Sequence, residues 1–94
     1  MLDWDIEKAI LNFDKHGVSF EEAAMAFDDE NGLDWADLKH SKSERRRKRL
    51  AESNTNRLLL FVYTIRKQTN GNETIRIISA RAASYNERRA YFEF

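Results

Sequence analysis

Ninety-four residues with no cysteine and a formal net charge of zero leave room for one modest core. They exclude disulfides, a thiol nucleophile and thiolate metal sites. No apolar run approaches the ~20 residues that cross a bilayer, and Met1 leads into acidic residues rather than a signal peptide. A single domain over residues 1–94, in the cytoplasm and away from membranes, is the expectation.

The zero total conceals a division. Met1 to Asp37 carries eleven acids against Lys8 and Lys15, a net of −9, and Leu38 to Phe94 carries the balancing +9. Such asymmetry reads in two ways: a basic face for nucleic acid beside an acidic face for a basic protein, or two halves that neutralise each other across the fold.

Met1 to Trp4 reads as a short first strand. Asp5 then caps a helix whose Ile6, Ala9, Ile10 and Phe13 fall on one apolar face, and Gly17 ends it in a left-handed turn after Lys15 and His16. Ser19 opens a second helix, with Glu22 completing a capping box and Phe20, Ala23, Ala24 and Phe27 repeating the apolar spacing. Asp28-Asp29-Glu30-Asn31-Gly32 closes it, the acids being expected to face solvent. Leu33 to Leu38 is a short strand or an extended loop. The run Arg45 to Arg49 is either a solvated helix or an edge strand.

Ser53 to Asn56 reads as a turn, and Leu58 to Ile65 as a strand covered on both faces. Asn70-Gly71 supplies the strongest hairpin signal, Thr74 to Arg81 returns as the next strand, and Ser84 with Glu87 caps a final helix. The order β-α-α-β-β-β-β-α, with clustered helices and consecutive hairpins, predicts an α+β fold. A small antiparallel sheet is packed by two N-terminal helices and a short C-terminal one.

Most enzyme classes find no support. His16 and His40 lie far apart, without metal-ligand spacing. There is no nucleophile-elbow pattern and no Gly-rich phosphate loop, so neither metal nor cofactor is expected. Chemistry on an RNA phosphodiester asks for less, because the 2′-hydroxyl is the nucleophile. A base, cations for the phosphorane and an acid for the leaving oxygen suffice. Arg46, Arg76, Arg81 and Arg88 supply forks suited to phosphate. Glu44 or His16 is the candidate base, and His16, Lys15 or Tyr91 the candidate acid. Each has a structural alternative: Lys15 and His16 complement a helix C-terminus, Glu87 caps, Arg76 covers the sheet, Arg89 and the Arg45 to Arg49 run are solvated, and Tyr91 packs.

The chain resembles the BrnT family of toxins from type II toxin–antitoxin systems. The matching pieces are Trp4-Asp5, K-H-G-V-S-F-E-E-A (Lys15 to Ala23), F-D-D (Phe27 to Asp29), D-L-K-H-S-K-S-E-R-R (Asp37 to Arg46), R-L-L (Arg57 to Leu59), I-R-I-I-S-A-R-A-A (Ile75 to Ala83) and E-R-R-A-Y (Glu87 to Tyr91). Their order and gaps make the likeness specific where any one piece is weak.

The resemblance implies a RelE-like fold and a ribonuclease that inhibits translation by cutting messenger RNA. It also implies neutralisation by a BrnA-type ribbon-helix-helix antitoxin, with operator DNA bound only through the antitoxin complex. By motif, it places Lys15, His16, Glu44 and Arg81 in a catalytic role, and Arg46, Arg88 and Tyr91 against the RNA, where Arg76 joins them as a further phosphate fork. The site is expected where the end of the first helix meets the sheet. One departure is Arg47 with Leu50-Ala51 where the family has an aromatic and then Ile-Gly, giving a more basic and less strand-like segment. The rival reading is a catalytically weak or inactive homologue, binding nucleic acid or antitoxin as a co-repressor.

Overall fold

The chain, represented by a computed structural model, is described over residues 1–40, 42 and 44–93; the two serines of the H-S-x-x-E-x-R motif region, Ser41 and Ser43, lie outside that description. Strand β1 (Leu2–Trp4) is followed by helix α1 (Ile6–His16), helix α2 (Phe20–Met25), a 3-10 turn (Ala26–Asp28) and β2 (Leu33–Ala36). Another 3-10 turn (Leu38–His40) leads to β3 (Arg46–Glu52), β4 (Leu58–Lys67), β5 (Glu73–Ala82) and α3 (Tyr85–Glu93). The five strands form one sheet in the order β1-β5-β4-β3-β2. All neighbours are antiparallel except β1, which lies parallel to β5 at the edge of the otherwise antiparallel sheet. This is the expected α+β order. No helix among the described residues is long and apolar enough to cross a membrane.

The predicted punctuation operates locally. The Asp5 carboxylate accepts from the Glu7 and Lys8 N–H groups and the Ser19 hydroxyl from that of Glu22. Gly17 ends α1 at φ 68°, where an L side chain would be strained. Ser84 and Glu87 complete a reciprocal box, each side chain accepting from the other's backbone N–H. The Ser19 box is only half formed. Glu22 turns away to the β3–β4 turn, where it accepts from the Ser53 and Thr55 hydroxyls at 2.7 and 2.8 Å and from the Arg57 guanidinium.

Helices α1 and α2 lie on one face of the sheet. The α2 stripe packs as expected: Phe20 and Ala23 join Leu59, Phe61, Tyr63, Ile77 and Ala80 in the main core, Ala24 and Phe27 pack half-buried against it, and Ala26 adds to it. The α1 stripe does not. Ala9 alone of the four packs half-buried on the core; Ile6, Ile10 and Phe13 are 68, 64 and 56% exposed, and the buried residue of α1 is Asn12. Its amide donates to the Val18 and Ala80 carbonyls at 3.0 and 2.8 Å and accepts from the Ala80 N–H at 3.1 Å. Since β1 ends opposite Ile77, Asn12 satisfies backbone groups of β5 beyond the end of its edge partner, where unpaired groups are costly.

The basic run is neither helix nor edge: it forms β3, with β2 on one side and β4 on the other. Strand alternation splits it. Arg47 and Arg49 face the α2 side and bracket Asp34, at 2.7 and 3.6 Å, while Arg46 and Lys48 face the opposite side. Three acids of the negative half, Asp3, Glu22 and Asp34, pair with bases of the positive half, so neutralisation accounts for part of the asymmetry.

Candidate functional site

Beyond α1 and α2, the other face of the sheet is defined by cross-strand rows. Leu33, Leu50, Leu60 and Arg81 form one row, Trp35, Lys48, Val62 and Ser79 the next, and Arg46, Thr64, Arg76 and Asp3 the third. Helix α3 covers the leucine end, where Tyr91 and Ala83 pack on Leu50, Leu58 and Leu60. The other two rows lie beyond that cluster and carry Arg46, Lys48 and Arg76. A register irregularity between Val62 and Tyr63 sets this pattern: Val62 faces Ser79 while Tyr63 faces Ile77, so Ile78 is the extra residue. Without it, Arg76 and Arg81 would occupy opposite faces.

At the far end of the face, Glu44 sits among cations. It accepts from the Arg66 guanidinium at 3.1 Å and lies 3.6 Å from that of Arg46. Arg46, Thr64 and Arg76 stand side by side, Thr64 fully buried between the two arginines, and Arg76 pairs with Asp3 at 3.6 Å. Lys48 and Arg66 are additions that the motifs did not single out. Lys48 follows from the two-residue alternation with Arg46, but Arg66 meets Glu44 only through the β3–β4 register.

Lys15 and His16 occupy the last turn of α1, as their fit to its negative end requires. They line a shallow depression with Lys8, Leu11, Ile78 and Ser79. The Asn12 clamp aims them: with Asn12 fixed on Ala80, the following turn of α1 is brought beside Ser79 on the exposed stretch of β5. The end of the first helix thus meets the sheet at its middle row.

Arg81 lies apart from the Glu44 end. It stands five positions along β5 from Arg76, roughly 16 Å at strand rise. Its two terminal nitrogens donate to both Glu87 oxygens, at 2.8 and 2.9 Å. Glu87 therefore does more than cap. The ion pair holds its carboxyl below the usual carboxylate range and raises Arg81 in turn.

The two α3 residues expected at the RNA sit otherwise. The exposed Arg88 guanidinium lies 5.5 Å from the Phe92 ring centroid. Tyr91 donates its hydroxyl to Asp29 at 2.6 Å. Burial first, and then the neighbouring Asp29, push that phenol up to about 12, so it stays protonated near neutral pH with its proton engaged by Asp29. Its packing alternative is the one realised. Asp29 in turn is not a solvated helix-end acid. It also accepts the Glu52 and Asn31 N–H groups, which against the cost of burial hold its carboxyl low. Among the described residues, no three His, Asp or Glu side chains converge on a metal-sized space.

Chemically, the face offers several guanidiniums with one carboxylate held among them, and an ammonium and an imidazole stand beside its strand β5. A family model described as "Ribonuclease toxin, BrnT, of type II toxin-antitoxin system" matches residues 4–87. The crystal structure of the Brucella abortus ribonuclease toxin BrnT, at 1.1 Å, superposes with a TM-score of 0.60 at 19% identity, covering 89% of this chain and 99% of that one. At that identity the likeness speaks for the fold. No curated protein matches.

Proposed function

The chain belongs to the BrnT family of ribonuclease toxins of type II toxin–antitoxin systems, and from that premise we propose that it is a metal-independent endoribonuclease that cuts messenger RNA on the second face of its sheet. A BrnA-type ribbon-helix-helix antitoxin neutralises it, and operator DNA is bound through that complex. The observation that carries the nuclease reading is the Glu44–Arg46–Arg66–Arg76 cluster; the Lys15–His16 turn reaches the same strand β5 at Ser79, three positions from Arg76.

In this reading Arg46 and Arg76 grip phosphate oxygens by their forks. Glu44 takes the 2′-hydroxyl proton, and the alkoxide attacks the adjacent phosphorus. Arg46, Arg76 and Lys15 stabilise the extra charge of the phosphorane. His16 protonates the departing 5′-oxygen, leaving a 2′,3′-cyclic phosphate and a 5′-hydroxyl. Arg81 extends the phosphate track toward α3, and Arg88 meets the chain only at its outer margin.

Purified chain incubated with RNA in EDTA should yield cyclic-phosphate ends, and Glu44→Gln and the double variant Arg81→Ala, His16→Ala should lower the rate by about 10²-fold or more. Undiminished cleavage by the double variant would refute the site. A second reading, an inactive co-repressor or nucleic-acid-binding module, draws on the Arg81–Glu87 pair, which occupies both terminal nitrogens of a guanidinium that the nuclease needs. It predicts RNA bound with steep salt dependence yet left intact.

A further inference from the structure

The exposed stripe of α1 does not stand alone. Ile6, Ile10 and Phe13 form one wall of a groove of about 410 Å³, whose remaining lining includes Trp4, Phe20, Asp14 and Glu21. Trp4 meets Phe20 edge-on at 6.1 Å, so the floor is aromatic and rigid. Three large side chains, each more than half exposed on one 11-residue helix, make a contiguous apolar patch of the kind that marks an interface. Their i, i+4, i+7 spacing is that of a helix offering a packing ridge to another helix.

The rim identifies the occupant. Glu7 and Asp14 follow the stripe on one side of α1 and Glu21 stands on α2. Among the described residues none of the three takes part in an ion pair within the chain. They are among the acids of the −9 half that form no ion pair within the described residues. Nucleic acid is repelled by such a rim. A second copy is opposed as well, because a two-fold contact sets each patch against itself and so brings acid to acid.

We propose that the groove between α1 and α2 is the docking site for an amphipathic helix of a partner protein, one whose apolar stripe is flanked by lysine and arginine. Apolar anchors at helical spacing fill the groove, and the flanking cations meet Asp14 on one side and Glu21 on the other. The proposal rests on the toxin–antitoxin reading only for naming that partner as the antitoxin. Because α1 and α2 lie on the face of the sheet opposite Arg46 and Arg76, the antitoxin held here would be anchored without displacing RNA-binding side chains.

The test uses the full chain with Trp35→Phe, which leaves Trp4 as the single indole reporter on the groove. Two synthetic helical peptides share one leucine stripe, and one carries lysine flanks where the other carries glutamate. The lysine peptide is expected to shift Trp4 emission to shorter wavelength in a saturable way and to bind at least tenfold more tightly than the glutamate peptide. Ile10→Glu should weaken it at least tenfold with an unchanged unfolding midpoint. The charge reversal Asp14→Lys, Glu21→Lys should invert the peptide preference. Equal affinity for the two peptides, no binding of either, or a self-association in light scattering that Ile10→Glu disperses would each overturn the proposal. RNA cleavage without peptide reports separately on the nuclease reading. Peptide binding beside intact RNA upholds the groove and refutes the nuclease, and cleavage without peptide discrimination does the reverse.

Discussion

Helices α1 and α2 carry nearly the same apolar spacing, yet one buries it and the other displays it. In α2, Phe20 and Ala23 enter the core and the acid Glu22 is left at the margin to grip the β3–β4 turn. In α1 the inward residue is Asn12, and the stripe is rotated aside. The difference lies in what each helix finds beneath it. Under α2 is a complete apolar layer, Phe61, Tyr63 and Ile77. Under α1 is the part of β5 past the end of β1, where the Ala80 N–H and C=O would otherwise lack partners. Satisfying two buried backbone groups outweighs burying one more apolar side chain, since an unpaired buried polar group costs about 1–3 kcal/mol. The same choice aims Lys15 and His16 at Ser79 and leaves the apolar groove facing outward.

The comparison breaks most severely at Phe20. It is fully buried against the main core, so Phe20→Ala should cost about 3–5 kcal/mol and leave little folded protein in a urea titration. Phe13→Ala, the corresponding change in α1, should move the midpoint hardly at all.

Asn12→Leu comes next. It replaces three hydrogen bonds with a side chain that pairs with neither Ala80 nor Val18, at about 2–3 kcal/mol. A larger consequence concerns the site: without the clamp α1 is free to roll its apolar stripe inward. Hydrogen exchange should then show the Ala80 amide losing its protection while Ile10 and Phe13 resonances take on core-like shifts, and RNA cleavage should fall with Lys15 and His16 displaced. Loss of stability without these shifts would mean that Asn12 holds α1 but does not orient it.

Much of the local structure is legible in the sequence because its causes are local. The Asp5, Ser19 and Ser84 caps, the Gly17 stop and the Asn70-Gly71 turn each depend on atoms two to four residues apart, and all form. What is not legible depends on partners that the chain brings from afar. Asn12 bonds to Ala80 across 68 residues of sequence, and Glu22 prefers Arg57 to its own cap. The Arg46 to Arg49 run divides between two faces only once it is a strand between β2 and β4, and Asp34 then pairs with the half on the α2 side. The bulge at Ile78, which returns Arg76 and Arg81 to one face, has no glycine or proline to announce it. Family motifs pointed to Glu44 and Arg46, which the fold brings within 3.6 Å of each other, and to Lys15 and His16, which it sets at the end of α1 beside Ser79. They also pointed to Tyr91, where a phenol that packs on leucines and donates to Asp29 satisfies the same motif for a structural reason.

The smaller effects sharpen the contrast at α2's own margin. Glu22 accepts from Ser53, Thr55 and Arg57, and the Arg57 bond above all draws its carboxyl from the ordinary 4.5 down to about 2 despite burial. The folded-state value is depressed, so the stabilisation is complete above about 4.5 and is lost as pH falls from there toward about 2. Glu22→Gln keeps the shape and removes the charge, at about 1–2 kcal/mol near neutral pH, since hydrogen bonds to a charged group are worth about 1.5–3 kcal/mol and some survive. Measured as urea midpoints from pH 7 to pH 2.5, wild type should fall most of the way toward the variant by the acid end. An acid limb that survives Glu22→Gln unchanged would shift the cause to another carboxylate, Asp29 being the next candidate because its range is also held low.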